Sequence, residues 1–198
     1  MITFDNASND EPFKEFKKKY ENALQMKQKN IEAMSISSFS KELNEVNSRF
    51  VNLKFIKNRD LIFFSNYDSP KSREFEGHDQ VAALIYWNSI NTQIRLKATI
   101  KRTSKDFNKE YFLNRAPKKN ALAISSKQSK FIDSYESVKK NFDKALASSN
   151  LLDCPDYWGG FSLTPFYFEF WEGRESRVNK RLAFNRINGD WRQSILEP

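Results

Sequence analysis

Trp158-Gly159-Gly160-Phe161-Ser162-Leu163-Thr164-Pro165-Phe166-Tyr167-Phe168-Glu169-Phe170-Trp171-Glu172-Gly173 decides how the fold is read, and Arg177-Val178-Asn179-Lys180-Arg181 follows closely. From Phe161 to Trp171 the run is aromatic and strand-forming. Core packing alone does not require a Trp-Gly pair, two spaced arginines and an asparagine in that order. A pocket for an aromatic, phosphorylated molecule does want such parts. Flat side chains stack on it, glycines let the backbone approach, and arginines meet its anionic groups. Just beyond, Asn188-Gly189 is a type I′ turn signal that joins Leu182–Arg186 to Trp191–Leu196 as a hairpin.

Upstream, the two-residue period recurs. Gln93, Arg95, Lys97 and Thr99 alternate with Ile94, Leu96, Ala98 and Ile100, so the first group lies away from the core or in a polar pocket. Gln80 to Trp87 reads as a mostly apolar, buried partner strand. Arg49 to Ile56 and Leu61 to Asn66 flank Lys57-Asn58-Arg59-Asp60 and read as a hairpin. Ser69-Pro70 opens a short helix to about Glu76, and Ser104 caps one running towards Arg115 that Pro117 ends. Asp133 or Ser134 starts another, with Tyr135, Val138, Phe142, Ala145 and Leu146 facing inward. Near the start, Pro12 opens a helix whose Phe13, Phe16, Tyr20, Ala23 and Leu24 share a buried face. Met1 to Asp10 is polar and expected to be disordered, leaving residues 11–198 as a single domain. The sum is a β-rich α+β chain, a closed or split β-barrel of Greek-key type with peripheral helices.

Composition sets outer limits. A chain of 198 residues can bury one core, and 18 Phe, 4 Trp and 7 Tyr make that core aromatic. No run has the apolar length to span a bilayer and the first residues are not signal-like, so a cytoplasmic protein without a membrane partner is expected. Cys154 is the only cysteine, which excludes an intrachain disulfide and a cysteine-cluster metal site. The net charge of +8 asks for an anionic partner. Yet the basic residues are interleaved with acids, without zinc-finger spacing or a basic arm, so a small phosphorylated ligand is favoured over nucleic acid. His78 is the only histidine and lies in an acidic, loop-like context, so histidine-based triads are not expected. No glycine-rich phosphate loop is present. An enzyme built from this chain needs a cofactor for the hard step.

Singly, each candidate ligand residue has a plain structural reading. Arg49 and Lys54 could be exposed strand ends, pointing to opposite faces unless a bulge intervenes. Gln93 and Arg95 could be the wet face of a half-buried strand, Trp171 core, and Gly159-Gly160 a turn. Together they resemble the pyridoxamine 5′-phosphate oxidase family, whose signature reads Trp-Gly-Gly, Phe-Trp-x-Gly and Arg-Leu-His-Asp-Arg. Arg49 to Lys54 resembles its Arg-x-x-x-x-Lys strand. Phe63-Phe64-Ser65-Asn66 is similar to Phe-Phe-Thr-Asn, and Ser69-Pro70-Lys71 stands where Ser-Arg-Lys is usual. Gln93-Ile94-Arg95 resembles Gln-Val-Arg, Tyr111 to Arg115 resembles Tyr-Phe-x-Ser-Arg, and Gln128-Ser129 matches a Gln-Ser element. The likeness runs from Arg49 to Pro198.

The resemblance implies a split barrel and a homodimer, with a flavin mononucleotide (FMN) in each of two clefts between subunits. Arg49, Phe50, Val51, Asn52, Leu53 and Lys54 would line FMN with Phe64. Arg49, Ser65 and Lys71 would hold its phosphate, and Gln128 and Ser129 would reach it or the ribityl chain. Gln93, Trp171 and Arg181 would complete the ring pocket. Lys54, Tyr111, Arg115 and Lys119 would take the substrate phosphate, with Arg177 and Asn179 against the substrate and Arg177 nearest the reacting carbon. The implied reaction is oxidation of pyridoxamine or pyridoxine 5′-phosphate to pyridoxal 5′-phosphate, with dioxygen as acceptor and no metal.

Four positions depart from that pattern: Pro70 for arginine, Lys119 for serine, Glu172 for glutamine and Asn179 for histidine. Asparagine cannot carry a positive charge or stack as imidazole does. The rival readings are a related FMN-dependent oxidase acting on another substrate, as in phenazine biosynthesis, and a non-catalytic flavin or pyridoxal phosphate binding protein. A basic nucleic-acid-binding barrel is the remote fourth.

Overall fold

The computed structural model describes every residue from Met1 to Pro198. Strand β8 (Trp158–Glu172) organises it, because three other strands pair with it. Its first half lies between β5 (Asp60–Asn66) and β7 (Thr92–Arg102), and its second half between β7 and β9 (Lys180–Ile187). The register slips at Lys97/Ala98, where Pro165 pairs with Ala98. A proline has no N–H for the ladder, so a bulge is where a central strand tolerates one. Beyond β7 the sheet continues through β6 (Gln80–Trp87) and β2 (Ala33–Ser40) to β3 (Glu45–Asn52). Beyond β5 it continues through β4 (Phe55–Lys57) to β1 (Thr3–Asp5), while β10 (Asp190–Ile195) closes the C-terminal hairpin on β9. The sheet curls until β3 touches β5, giving a split barrel.

Helix α1 (Glu11–Gln25) buries Phe13, Phe16, Tyr20 and Ala23 as their spacing predicts, but Leu24, expected on the same face, is 43% exposed in the last turn. Phe16 meets Trp87 edge-on at 5.5 Å, and Phe13 meets Phe168 at 5.2 Å. Helices α2 (Pro70–Gly77), α3 (Lys105–Leu113), α4 (Pro117–Ser125) and α5 (Tyr135–Ser148) lie around the sheet. The hydroxyls of Ser104 and Ser134 accept the N–H groups of Phe107 and Ser137, capping α3 and α5. Asn188 and Gly189 have φ of 52° and 94°, the two positive values of a type I′ turn.

Five further expectations are corrected. Residues 1–10 are not disordered: β1 pairs in parallel with β4, because Ile2 is buried and Phe4 packs on Tyr20 at 5.3 Å. Arg49 to Ile56 is two strands. The Leu53 N–H donates to Glu32 O and the Lys54 N–H to Ile62 O, so the chain leaves the β2 ladder for the β5 ladder between adjacent residues. Gln80–Trp87 is not buried throughout but alternates, with Leu84 and Tyr86 outward. Pro117 starts α4 as well as following α3, being tolerated in a first turn. In α5 only Ala145 is buried, and Tyr135 is exposed.

Gly159 and Gly160 are not a turn but lie buried within β8. A Cβ on Gly159 would collide with Tyr67 Oη and Asn108 Nδ2. Neither atom can retreat freely. Asn108 Nδ2 donates to Tyr67 Oη at 3.0 Å, Tyr67 Oη donates to Gly160 O at 3.0 Å, and the Gly160 N–H donates to Asn108 Oδ1 at 2.9 Å. Gly159→Ala is therefore expected to destabilise the fold by about 1–3 kcal/mol, as overpacking does. Urea unfolding checks this, and an unchanged midpoint would contradict it.

Candidate functional site

The break between β3 and β4 turns Leu53 into the core, fully buried, and presents Lys54 to a cavity of ≈ 270 Å³. One aromatic stack lies along this cavity: Phe64 is 3.9 Å from Tyr111 and 5.1 Å from Trp158, all within 20° of parallel. Arg115 lies 4.4 Å over Trp158, and its Nη1 donates to Asn120 Oδ1 at 3.1 Å, so the guanidinium is held in place. Phe50, Val51 and Asn52 complete the β3 side.

Four cations, Lys54, Lys71, Arg115 and Lys119, line the cavity and no carboxylate does. Lys71 is the most constrained, at 7% exposure. Its ammonium donates only to Ser65 Oγ and Ser69 Oγ, each at 3.1 Å. Burial, and then the nearby Arg49, lower its pKa to about 8, with Glu74 opposing them. Ser65 Oγ donates in turn to Gln128 Oε1 at 3.2 Å. A buried ammonium met only by hydroxyls wants an anion, and a phosphate fits this set of donors. Burial also raises the Tyr111 phenol, with Arg115 lowering it and Glu32 raising it.

The remaining expected residues lie elsewhere. Arg49 does not line the cavity; it donates to Glu74 Oε2 at 2.8 Å and Ser38 Oγ at 2.5 Å, so it acts on Lys71 only through its field. Ser129 is exposed at φ 66° and belongs to a neighbouring cavity. Gln93, Trp171 and Arg181 form one row across β7, β8 and β9, since Gln93 pairs with Trp171 and Trp171 with Arg181. Trp158 and Trp171 stand at opposite ends of β8, roughly 40 Å of strand apart. Arg177 is exposed at φ 59° in the loop before β9, where Asn179 Oδ1 accepts the Arg174 N–H at 3.0 Å.

Two carboxylates escaped sequence reading. Glu169, 1% exposed, accepts from Arg181 Nε at 3.0 Å, Arg95 Nη1 at 2.8 Å and Tyr167 Oη at 2.8 Å, which helps push Tyr167 up to about 12 after burial. Glu32 pairs with Lys54. Only the strand register reveals either partner. The Glu172 departure is also clarified: it points away from Trp171 and pairs with Lys19 of α1 at 2.7 Å. Pro70 is the first residue of α2.

The fold is a split β-barrel whose cation-lined cavity wants an anion, and comparison with known proteins gives the class. Residues 158–198 match the family model described as the pyridoxine 5′-phosphate oxidase C-terminal dimerisation region. A pyridoxine/pyridoxamine 5′-phosphate oxidase of Hydrogenovibrio crunogenus is 33% identical, covering 95% of this chain and 88% of its own. One from Burkholderia ambifaria is 33% identical, covering 100% and 96%. The chain belongs to the pyridoxine/pyridoxamine 5′-phosphate oxidase family, and it is an FMN-dependent oxidase. Among solved structures, PhzG from Burkholderia lata, in complex with tetrahydrophenazine-1-carboxylic acid, superposes with a TM-score of 0.90 at 24% identity, covering 96% of this chain and 93% of its own. A pyridoxamine 5′-phosphate oxidase-related, FMN-binding protein from Nostoc punctiforme gives 0.78 at 13% identity, covering 92% and 97%. No helix is long and apolar enough to cross a membrane.

Lys71 yields a pH prediction. An anion binds the charged form, present below a pKa of about 8, and binding raises that pKa. FMN affinity should therefore begin to weaken as pH rises through about 8 and keep falling above it. In Lys71→Arg it should stay flat to pH 9.5, since guanidinium does not titrate there. A fluorescence titration of FMN at each pH reads both, and a flat wild-type profile would contradict the assignment.

Proposed function

We propose that the protein is a homodimer that oxidises pyridoxamine or pyridoxine 5′-phosphate to pyridoxal 5′-phosphate, with dioxygen as acceptor and peroxide as product. The observation that carries this is the cavity lined by Lys54, Lys71, Arg115 and Lys119 without a carboxylate, large enough for anionic groups beside an aromatic stack. When bound, FMN supplies the acceptor for a hydride from the substrate's 4′ carbon. Everything the chain adds is positioning and electrostatics.

In this reading Ser65, Lys71 and Gln128 hold the flavin phosphate. Lys54, Tyr111, Arg115 and Lys119 hold the substrate phosphate. The row of Gln93, Trp171 and Arg181 is too far along β8 to serve the same cavity within one chain. A second copy supplies it, consistent with a C-terminal segment that matches a dimerisation region. Arg181 enters this role already oriented, its guanidinium fixed by Glu169 and by the Glu197 carbonyl at 2.7 Å. Arg177 lies over the substrate ring, on a loop whose shape depends on Asn179.

That same contact supports a second reading, oxidation of another substrate on the same flavin. The Asn179 amide oxygen is spent on the Arg174 N–H, which leaves Arg177 as that loop's cation for the substrate. Two measurements separate the readings. Under anaerobic conditions, pyridoxamine 5′-phosphate should bleach the flavin absorbance of the purified protein; a persistent band moves the assignment to another substrate. Asn179→His should raise kcat/KM for pyridoxamine 5′-phosphate several-fold, and an unchanged or lower value would contradict the vitamin B6 substrate.

A further inference from the structure

Glu32 stands beside the phosphate-binding cations for a backbone reason. Strand β2 begins at Ala33, opposite Asn52, and the Leu53 N–H donates to Glu32 O at 2.8 Å, so the ladder extends one step past β2. Residue 32 is thereby fixed next to residues 53 and 54, whatever the rotamers. Its carboxylate Oε2 accepts from Lys54 Nζ, and Oε1 pairs with the Met1 amino group. The side chain is only 18% exposed, so water screens it poorly. Two cations hold it ionised: although burial raises its pKa, the hydrogen bonds and charges of Lys54 and the amino terminus lower it below the usual value.

We propose that Glu32 attenuates phosphate affinity at this subsite, as an internal anion that Lys54 carries until a ligand's phosphate competes for it. The inference rests on the reading of Lys54 as a substrate-phosphate ligand. Lys54 has three N–H donors and need not release Glu32 altogether. The β2 ladder holds residue 32 beside Lys54, so an arriving phosphate meets the carboxylate's charge at close range in a partly buried site. The repulsion scales with the ligand's charge and offsets part of what the phosphate gains from Arg115 and Lys119. Glu32 thus lowers affinity for the phosphorylated ligand selectively, and it touches no atom that reacts.

The test uses the FMN-loaded protein and two probes without an oxidisable 4′ group, 4-deoxypyridoxine 5′-phosphate and 4-deoxypyridoxine, titrated by calorimetry. Glu32→Gln should tighten the phosphorylated probe by roughly three- to tenfold and leave the unphosphorylated one unchanged. Glu32→Ala should act in the same direction, and KM should fall with little change in kcat. Unchanged or weaker binding of the phosphorylated probe in both variants would overturn the proposal, marking Glu32 as a support for Lys54. Lys54→Ala is the control for the underlying reading. If it does not weaken the phosphorylated probe, Lys54 is no phosphate ligand and that reading fails. If it does weaken it while the Glu32 variants do not tighten it, the reading stands and this inference fails.

Discussion

Everything in this molecule depends on the pairing of β8 with three strands. Its first half, held between β5 and β7, carries Trp158 and the two glycines; its second half, held between β7 and β9, carries Glu169 and Trp171. One continuous element therefore delivers parts to both ends of the barrel. The slip at Lys97/Ala98 and Pro165 lets it do so while curving. Gly159 and Gly160 let it pass beneath the Tyr67–Asn108–Thr103 hydrogen-bond cluster that seats α3, and α3 brings Tyr111 and leads to Arg115. Packing around the start of β8 is thus the condition for the cavity beside it.

Electrostatic cost marks the site as clearly as geometry does. Holding Lys71 with a pKa near 8 instead of 10.5 costs roughly 3 kcal/mol, which hydroxyl partners do not offset. Arg115 is likewise lowered by burial. Around Arg181, by contrast, the charge is partly offset by Glu169, which it shares with Arg95. The cavity is therefore the end that wants an anion, and the β7–β8–β9 row is the end that presents oriented donors. A flavin mononucleotide has both kinds of surface, an anionic phosphate and a polar ring edge. Strand length keeps the two ends apart in one chain, and in the proposed homodimer a second copy would bring them together.

Much of this was legible in the sequence where the signal is local. The α1 face, apart from the exposed Leu24, the alternation of Gln93 to Ile100, the serine caps and the Asn188-Gly189 turn each depend on a few adjacent residues, and each matches the structure. What was not legible depends on partners far along the chain. The N-terminal strand exists only because β4 offers it an edge. The split of Arg49–Ile56 arises because Leu53 and Lys54 bond to different neighbours. The carboxylate partner of Arg49 lies on α2, and spacing could not show that. Glu32 and Glu169 were invisible for the same reason: a carboxylate's meaning lies in the cation that register sets beside it.

The central claim is that one FMN is held by the cavity of one subunit and the β7–β8–β9 row of the other. Mixed dimers test it most directly. Lys71→Ala and Arg181→Ala chains, differently tagged and co-expressed, would be purified as mixed dimers and their bound flavin counted. Each variant alone should be depleted of FMN, while the mixed dimer should recover one FMN per two chains, because one of its two clefts is intact. A mixed dimer as empty as its parents would show that both residues act on one site within a single chain, and would contradict the account.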